Sequence, residues 1–170
     1  MALIKLNDVD EYKSYFEEIA KTHKEILHVD EDDKHFYIVD IAEVLDGQFR
    51  SNFKPNALVL EYFESSPAGP NMDQLKEKIR GAFYVIGSPV PSEDVTAKHE
   101  ALKFSHQTGK DIISKMKEDM LDGLLPGFDP RKVNIQKVGP LHEELFFFRF
   151  EFEVTISANS DFCFDETKWN

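Results

Sequence analysis

The apolar positions of the chain fall into a few runs with distinct periods. Between residues 8 and 28, Val9, Tyr12, Phe16, Ile19, Ala20, His23, Ile26 and Leu27 recur at three- and four-residue steps. That spacing puts them on one face of an amphipathic helix. Asn7 or Asp8 is placed to cap it, and Asp10 and Glu11 suit the positive end of the helix. His23 falls on the apolar side and reads as a border or core histidine. Residues 35–39 predict a short strand, with a strand continuing to 45 as the competing reading. Residues 40–45 otherwise predict a short helix, capped by Asp40 and stopped by Gly47.

A strand is predicted next at 56–64, through Ala57-Leu58-Val59-Leu60-Glu61-Tyr62-Phe63. Residues 65–74 hold two prolines and a glycine and read as a protruding loop. The next strand, 78–86, is apolar on both alternating sets beyond Arg80. It is therefore expected to be central, covered on both faces, and antiparallel to the strand before it. Ser92 opens a helix predicted to run to 121, roughly 40 Å at 1.5 Å per residue. Its stripe is Leu102, His106, Gly109, Ile113, Met116 and Met120, and Asp122-Gly123 closes it.

The clearest alternation is the last. A strand predicted at 133–138 is stopped by Gly139-Pro140. Then, from 145 to 157, Phe146, Phe148, Phe150, Phe152, Val154 and Ile156 point one way. Phe147, Arg149, Glu151, Glu153, Thr155 and Ser157 point the other, so one face is expected to be buried and the other mostly wet. Helices and strands do not alternate regularly. The pattern predicts an α+β fold with a mostly antiparallel sheet of about four or five strands, packed by a long helix and an N-terminal helix. Residues 1–157 form the expected domain, and 158–170 a separate aromatic tail.

Composition narrows the function. A chain of 170 residues with 15 Phe can bury a real core. Its net charge of −12 repels phosphates at long range, which disfavours nucleic-acid binding. One cysteine, Cys163, excludes an internal disulfide framework. No N-terminal basic-then-apolar segment suggests a signal peptide, and no apolar run reaches the roughly 20 residues that cross a bilayer.

Catalytic signatures fail on spacing. Asp30-Glu31-Asp32-Asp33 lacks the glycine and the terminal glutamate of a calcium loop and reads as a solvated turn. His99-Glu100 begins like a zinc-protease motif, but His106 stands seven residues on instead of four. His142-Glu143-Glu144 reads as a polar turn. Cys163 lies between Phe162 and Phe164 with no basic neighbour to activate it. Glu151 and Glu153 read as a surface ladder with Arg149 as counter-ion. No catalytic residue, metal or cofactor is implied.

The unusual residues lie at edges and ends. They are Pro67, Pro70 and Met72 in the loop, Phe147 and Arg149 on the wet side of the final strand, and Phe162, Phe164 and Trp169 in the tail. These suit contacts with neighbouring chains, including extension of the final strand past its own sheet.

The order of elements resembles that of tailed-phage tail terminator or tail-completion proteins, which join head to tail. The string FRSNFKPNALVLE at 49–61 resembles prophage structural proteins, as does LPGFDP at 125–130 continuing to KVGP at 137–140. The likeness spans residues 8–157. It implies a virion structural protein that assembles in the host cytoplasm and forms a homo-oligomeric ring, a hexamer in the family. It also implies contacts with tail tube and connector, no cofactor, and DNA only as passing cargo in an acidic lumen. Two other readings stay open: a small-ligand-binding or regulatory dimer, and an enzyme using His99, His106 or His142 between sheet and long helix.

Overall fold

A computed structural model of the chain describes residues 3–29, 33–40, 54–71, 74–91, 93–141, 144–158 and 167. Helix α1, Val9–Thr22, is capped by Asp8, whose carboxylate accepts from the backbone N–H groups of Asp10 and Glu11. It buries Tyr12, Phe16, Ile19 and Ala20 and ends earlier than the apolar spacing predicts. The hydroxyl of Thr22 donates back to the Glu18 carbonyl at 2.8 Å, and His23 turns to extended backbone. Ile26 is still buried, while Leu27 is exposed and left-handed, with φ of 52°.

Six strands form one sheet: β1 (Phe36–Val39), β2 (Ala57–Glu61), β3 (Glu64–Ala68), β4 (Lys76–Ile86), β5 (Asn134–Leu141) and β6 (Leu145–Ser157). The order is β1-β2-β4-β6-β5, and β3 pairs with β4 beyond the end of β2. Only β1 and β2 run parallel; the other pairs are antiparallel. The fold is α+β with a mostly antiparallel sheet, as the alternation predicts, and β4 is central and buried from Gly81 onward. The predicted short helix at 40–45 lies outside the described residues beyond Asp40.

Helix α2, Val95–Leu121, is capped by Asp94 through the Ala97 N–H. Both helices pack on one face of the sheet. Tyr12, Phe16, Ile112 and Met116 meet Ile79, Phe83, Phe150, Phe152 and Val154 there. Phe83 and Phe150 stack with centroids 5.1 Å apart and planes 4° apart. A Cβ on Gly109 would fall 2.1 Å from the Phe150 ring, so the missing side chain is what lets α2 lie this close to β6.

Three expectations are corrected. Residues 65–68 are not loop but part of β3, which pairs Ser65 with Ile79 and Pro67 with Glu77. The polar string reads as loop because Glu64–Pro67 are exposed on both faces, and proline is tolerated on an edge strand. Strand β5 runs on through Gly139-Pro140 to Leu141, with a register break after Val138 that takes up the cis Gly139-Pro140 bond and the positive φ of Gly139. The final strand does not extend past its sheet. The β3–β4 hairpin lengthens the sheet to match it, and β4 pairs with β6 as far as Lys76 and Ser157.

Where β5 ends, the 123–128 segment takes over the outer side of β6. Thr155 N–H donates to the Gly127 carbonyl at 3.1 Å, and Phe128 bridges Val154. Gly127 has φ of 83°, and a Cβ there would fall 1.9 Å from the Thr155 carbonyl oxygen. Glycine is the residue this close approach demands.

Candidate functional site

The face of the sheet opposite the helices grades from apolar to charged. At the Ile86 end, Val39, Ala57, Val59, Tyr84, Ile86, Leu145 and Phe147 form a second core. Phe147 is therefore fully buried and meets Tyr84 edge-to-face at 5.3 Å, so it is no interface residue on a wet face. Period-two alternation gives the side of a strand but not what covers that side, and here both sides are covered.

At the middle of the same face, Arg149 clamps Glu61. Its Nε donates to Oε1 at 2.9 Å and its Nη2 to Oε2 at 2.8 Å, a bidentate pair. Nη1 donates to Glu151 at 2.9 Å, and the Tyr84 hydroxyl donates to Glu61. Register explains the meeting: Arg149 pairs directly with Tyr84 across β4–β6, and Glu61 ends the neighbouring β2. Tyr12, from below the sheet, donates to the Glu61 backbone carbonyl at 3.0 Å. Glu61, Arg149 and Glu151 line a cleft of about 330 Å³ together with Asp40, Phe63, Glu64 and Arg80.

Two side chains of this cluster, Tyr84 and Arg149, keep one protonation state near neutral pH. Burial, then the bond to Glu61, pushes the Tyr84 phenol up from its ordinary value. Glu61 bonded to Arg149 holds the guanidinium charged. Neither group exchanges a proton near neutral pH, so both act as fixed anchors. Among the described residues no set of three His, Cys, Asp or Glu side chains is placed to hold a metal ion.

Further toward the hairpin, Glu153 gathers three cations. Lys132 reaches it at 2.6 Å, Lys78 at 3.3 Å and Arg80 at 3.9 Å. Its carboxyl is held below the ordinary glutamate range, first by the Lys132 bond.

The other predicted residues are scattered. Pro67 and Pro70 are exposed, on β3 and at the hairpin turn. Met72, Phe162, Cys163, Phe164 and Trp169 lie outside the described residues, as does His142. His99 is exposed on α2, whereas His106 packs on Phe148 at 4.9 Å, so these two do not converge on a site. His23 is a border residue, with Nε2 3.7 Å from Asp111 of α2. Glu61 and Tyr84 escape sequence reasoning. The available signal is the carboxylate at the end of the apolar run Ala57-Leu58-Val59-Leu60, since a charge that closes a buried strand needs a partner.

No protein-family model matches the chain. No curated protein matches it either. No helix among the described residues is long and apolar enough to cross a membrane.

Proposed function

We propose that this chain is an assembly subunit of a phage or phage-like particle, a tail terminator or neck protein that forms a ring between tail tube and connector. The observation that carries the reading is the β3–β4 hairpin. Glu64 to Pro67 are exposed on both faces, and β3 hydrogen-bonds to β4 alone among the described residues. β4 pairs with β6 on its other side, so β3 is the outer strand of a three-stranded sheet end, and such an edge presents unpaired backbone groups to which another chain can add. A neighbouring subunit is the natural cover. Two further points support the reading: the resemblance in element order and the motifs at 49–61, 125–130 and 137–140. The LPGFDP string has a structural role consistent with a shared fold, since Gly127 and Phe128 finish the edge of β6.

On this reading the partners are other copies of the chain, tail tube protein and connector, and the place of action is the virion. The fold supplies a scaffold whose charged anchors hold the sheet rigid, and function lies in its surfaces. The anchored Glu61–Arg149 pair leaves the adjacent cleft to serve as part of that surface.

Native mass spectrometry, alone and with tail tube protein added, tests this. The expected result is a closed ring, a hexamer by the resemblance. A strict monomer or dimer at high concentration under both conditions overturns the reading. Truncation after Ser157 removes Phe162, Phe164 and Trp169 and is expected to weaken assembly while leaving the circular dichroism of the domain unchanged.

A further inference from the structure

The chain carries net −12, yet one face of its sheet gathers cations. Lys76, Lys78 and Arg80 alternate along β4 with the buried Ile79, so all three stand on the face away from the helices. Lys132 joins them across Glu153, which pairs directly with Arg80 in the β4–β6 register. Three of these four cationic side chains, Lys78, Arg80 and Lys132, thus share one carboxylate. Arg80 and Lys132 keep about half or more of their side chains in water, and Lys76 is exposed.

The opposite face of the same sheet end has the opposite sign. Asn7, one residue before the α1 cap, donates to Glu77 of β4 at 3.1 Å, which sets the start of α1 beside Lys76 on the helical side. The outer side of α1 exposes Asp8, Asp10, Glu11 and Glu18, which outnumber the exposed Lys13 and Lys21. One end of each subunit therefore shows a basic face on one side and an acidic helix on the other.

We propose that the basic face of Lys76, Lys78, Arg80 and Lys132 docks on the acidic outer side of α1 in a second copy of this chain. Because the two patches differ and point in opposite directions, the contact is head-to-tail. A head-to-tail contact closes into a ring when its rotation divides a full turn. The inference rests on the ring reading and names the surface that reading leaves open. Complementary patches also steer subunits together and keep like faces apart, which matters for a chain whose net charge otherwise opposes self-association.

Charge reversal in the full chain tests the inference. Self-association is measured by sedimentation and native mass spectrometry for wild type, for Lys78→Glu/Arg80→Glu/Lys132→Glu, and for the milder Lys78→Gln/Arg80→Gln/Lys132→Gln, which avoids crowding carboxylates around Glu153. Both variants are expected to associate at least about tenfold more weakly. Adding Asp10→Lys/Glu18→Lys to the Glu variant is expected to restore most of the assembly, an outcome that mere loss of packing does not produce. Wild-type association is expected to weaken as salt rises from about 0.05 M to about 0.5 M. If wild type forms a ring and the Gln variant, with a native circular dichroism spectrum, forms it equally well, the docking surface is wrong while the ring stands. If wild type never assembles, the ring reading and this inference fall together. If the variants assemble normally but lose retention of a short duplex DNA probe that wild type holds, the face serves nucleic acid and the proposal is overturned.

Discussion

Gly109 shows how much a single missing methyl group decides. Its place on α2 puts the helix backbone against the Phe150 ring, with no room for a Cβ. Gly109→Ala raises helix propensity yet forces the ring or the helix to shift, and overpacking of this kind costs about 1–3 kcal/mol. A fall in thermal midpoint relative to wild type checks it; a rise means α2 gives way freely. The Glu61–Arg149 pair poses a different question, because a buried pair is weak as a net stabiliser but costly to break on one side. Arg149→Met leaves Glu61 buried beside Tyr84 with both guanidinium hydrogen bonds gone. The expected loss is about 3 kcal/mol, toward the low end because 20% of the Arg149 side chain is in water. The double variant Glu61→Leu/Arg149→Met is expected to recover part of that loss in urea titrations. A double-variant loss equal to the sum of the separate Glu61→Leu and Arg149→Met losses means the two side chains are not coupled.

Glu153 makes the acid limb of stability readable. Its folded pKa lies below the ordinary glutamate value. Its contribution is therefore complete above that ordinary value and is lost as pH falls through the depressed folded one. Asp129, held by Arg131 to about 2, behaves the same way lower down. Resistance to urea is expected to be level above about pH 5 and to fall below about pH 4. Lys132→Ala, which removes the largest cause of the Glu153 shift, is expected to shallow that fall, as equilibrium unfolding across the range will report.

At the scale of elements, β6 was legible in full because six apolar residues alternate without a break from Phe146 to Ile156. The stripe of α2 was legible only in part, with Ile113 and Met120 packed on the core half-buried. Gly109 and Met116 are buried as the spacing predicts, but the rest of the buried set is Ser105, Thr108, Ile112 and Asp119, a register shifted toward polar residues. Hydropathy does not select Ser105 or Asp119, since each is tolerable there only through a hydrogen-bond partner. Ser105 accepts the Phe148 N–H at 2.8 Å, and Asp119 accepts from Tyr15 at 2.9 Å and Lys115 at 2.6 Å. The Tyr15–Asp119 bond ties α1 to α2. Tyr15→Phe is expected to cost about 1.5–3 kcal/mol, the usual range for a hydrogen bond to a charged group. If thermal melting does not change, Lys115 alone satisfies the carboxylate. The strand β3 was missed for the converse reason: it is exposed on both faces, so no hydrophobic period marks it.

The whole molecule is organised by the two faces of one sheet. The helical face is a closed core, and residues from every part of the chain feed it. The other face is apolar at one end, bound by the Glu61–Arg149 anchor in the middle and cationic at the hairpin end. The proposed ring uses that last region and the hairpin arm. Its first check is the mass of the assembled particle.

What the sequence by itself determined was the α+β class, the helix-facing side of β4 and β6, and the failure of the catalytic motifs on spacing. These depend on period and distance along the chain, which a one-dimensional string contains. Tertiary structure alone decided that Phe147 is buried, that Glu61 is the partner of Arg149, and that Lys132 joins Lys78 and Arg80 at one carboxylate. Each of those depends on which strands lie side by side and what covers them. Arg149 and Glu61 are 88 residues apart in the chain and 2.8 Å apart in the fold.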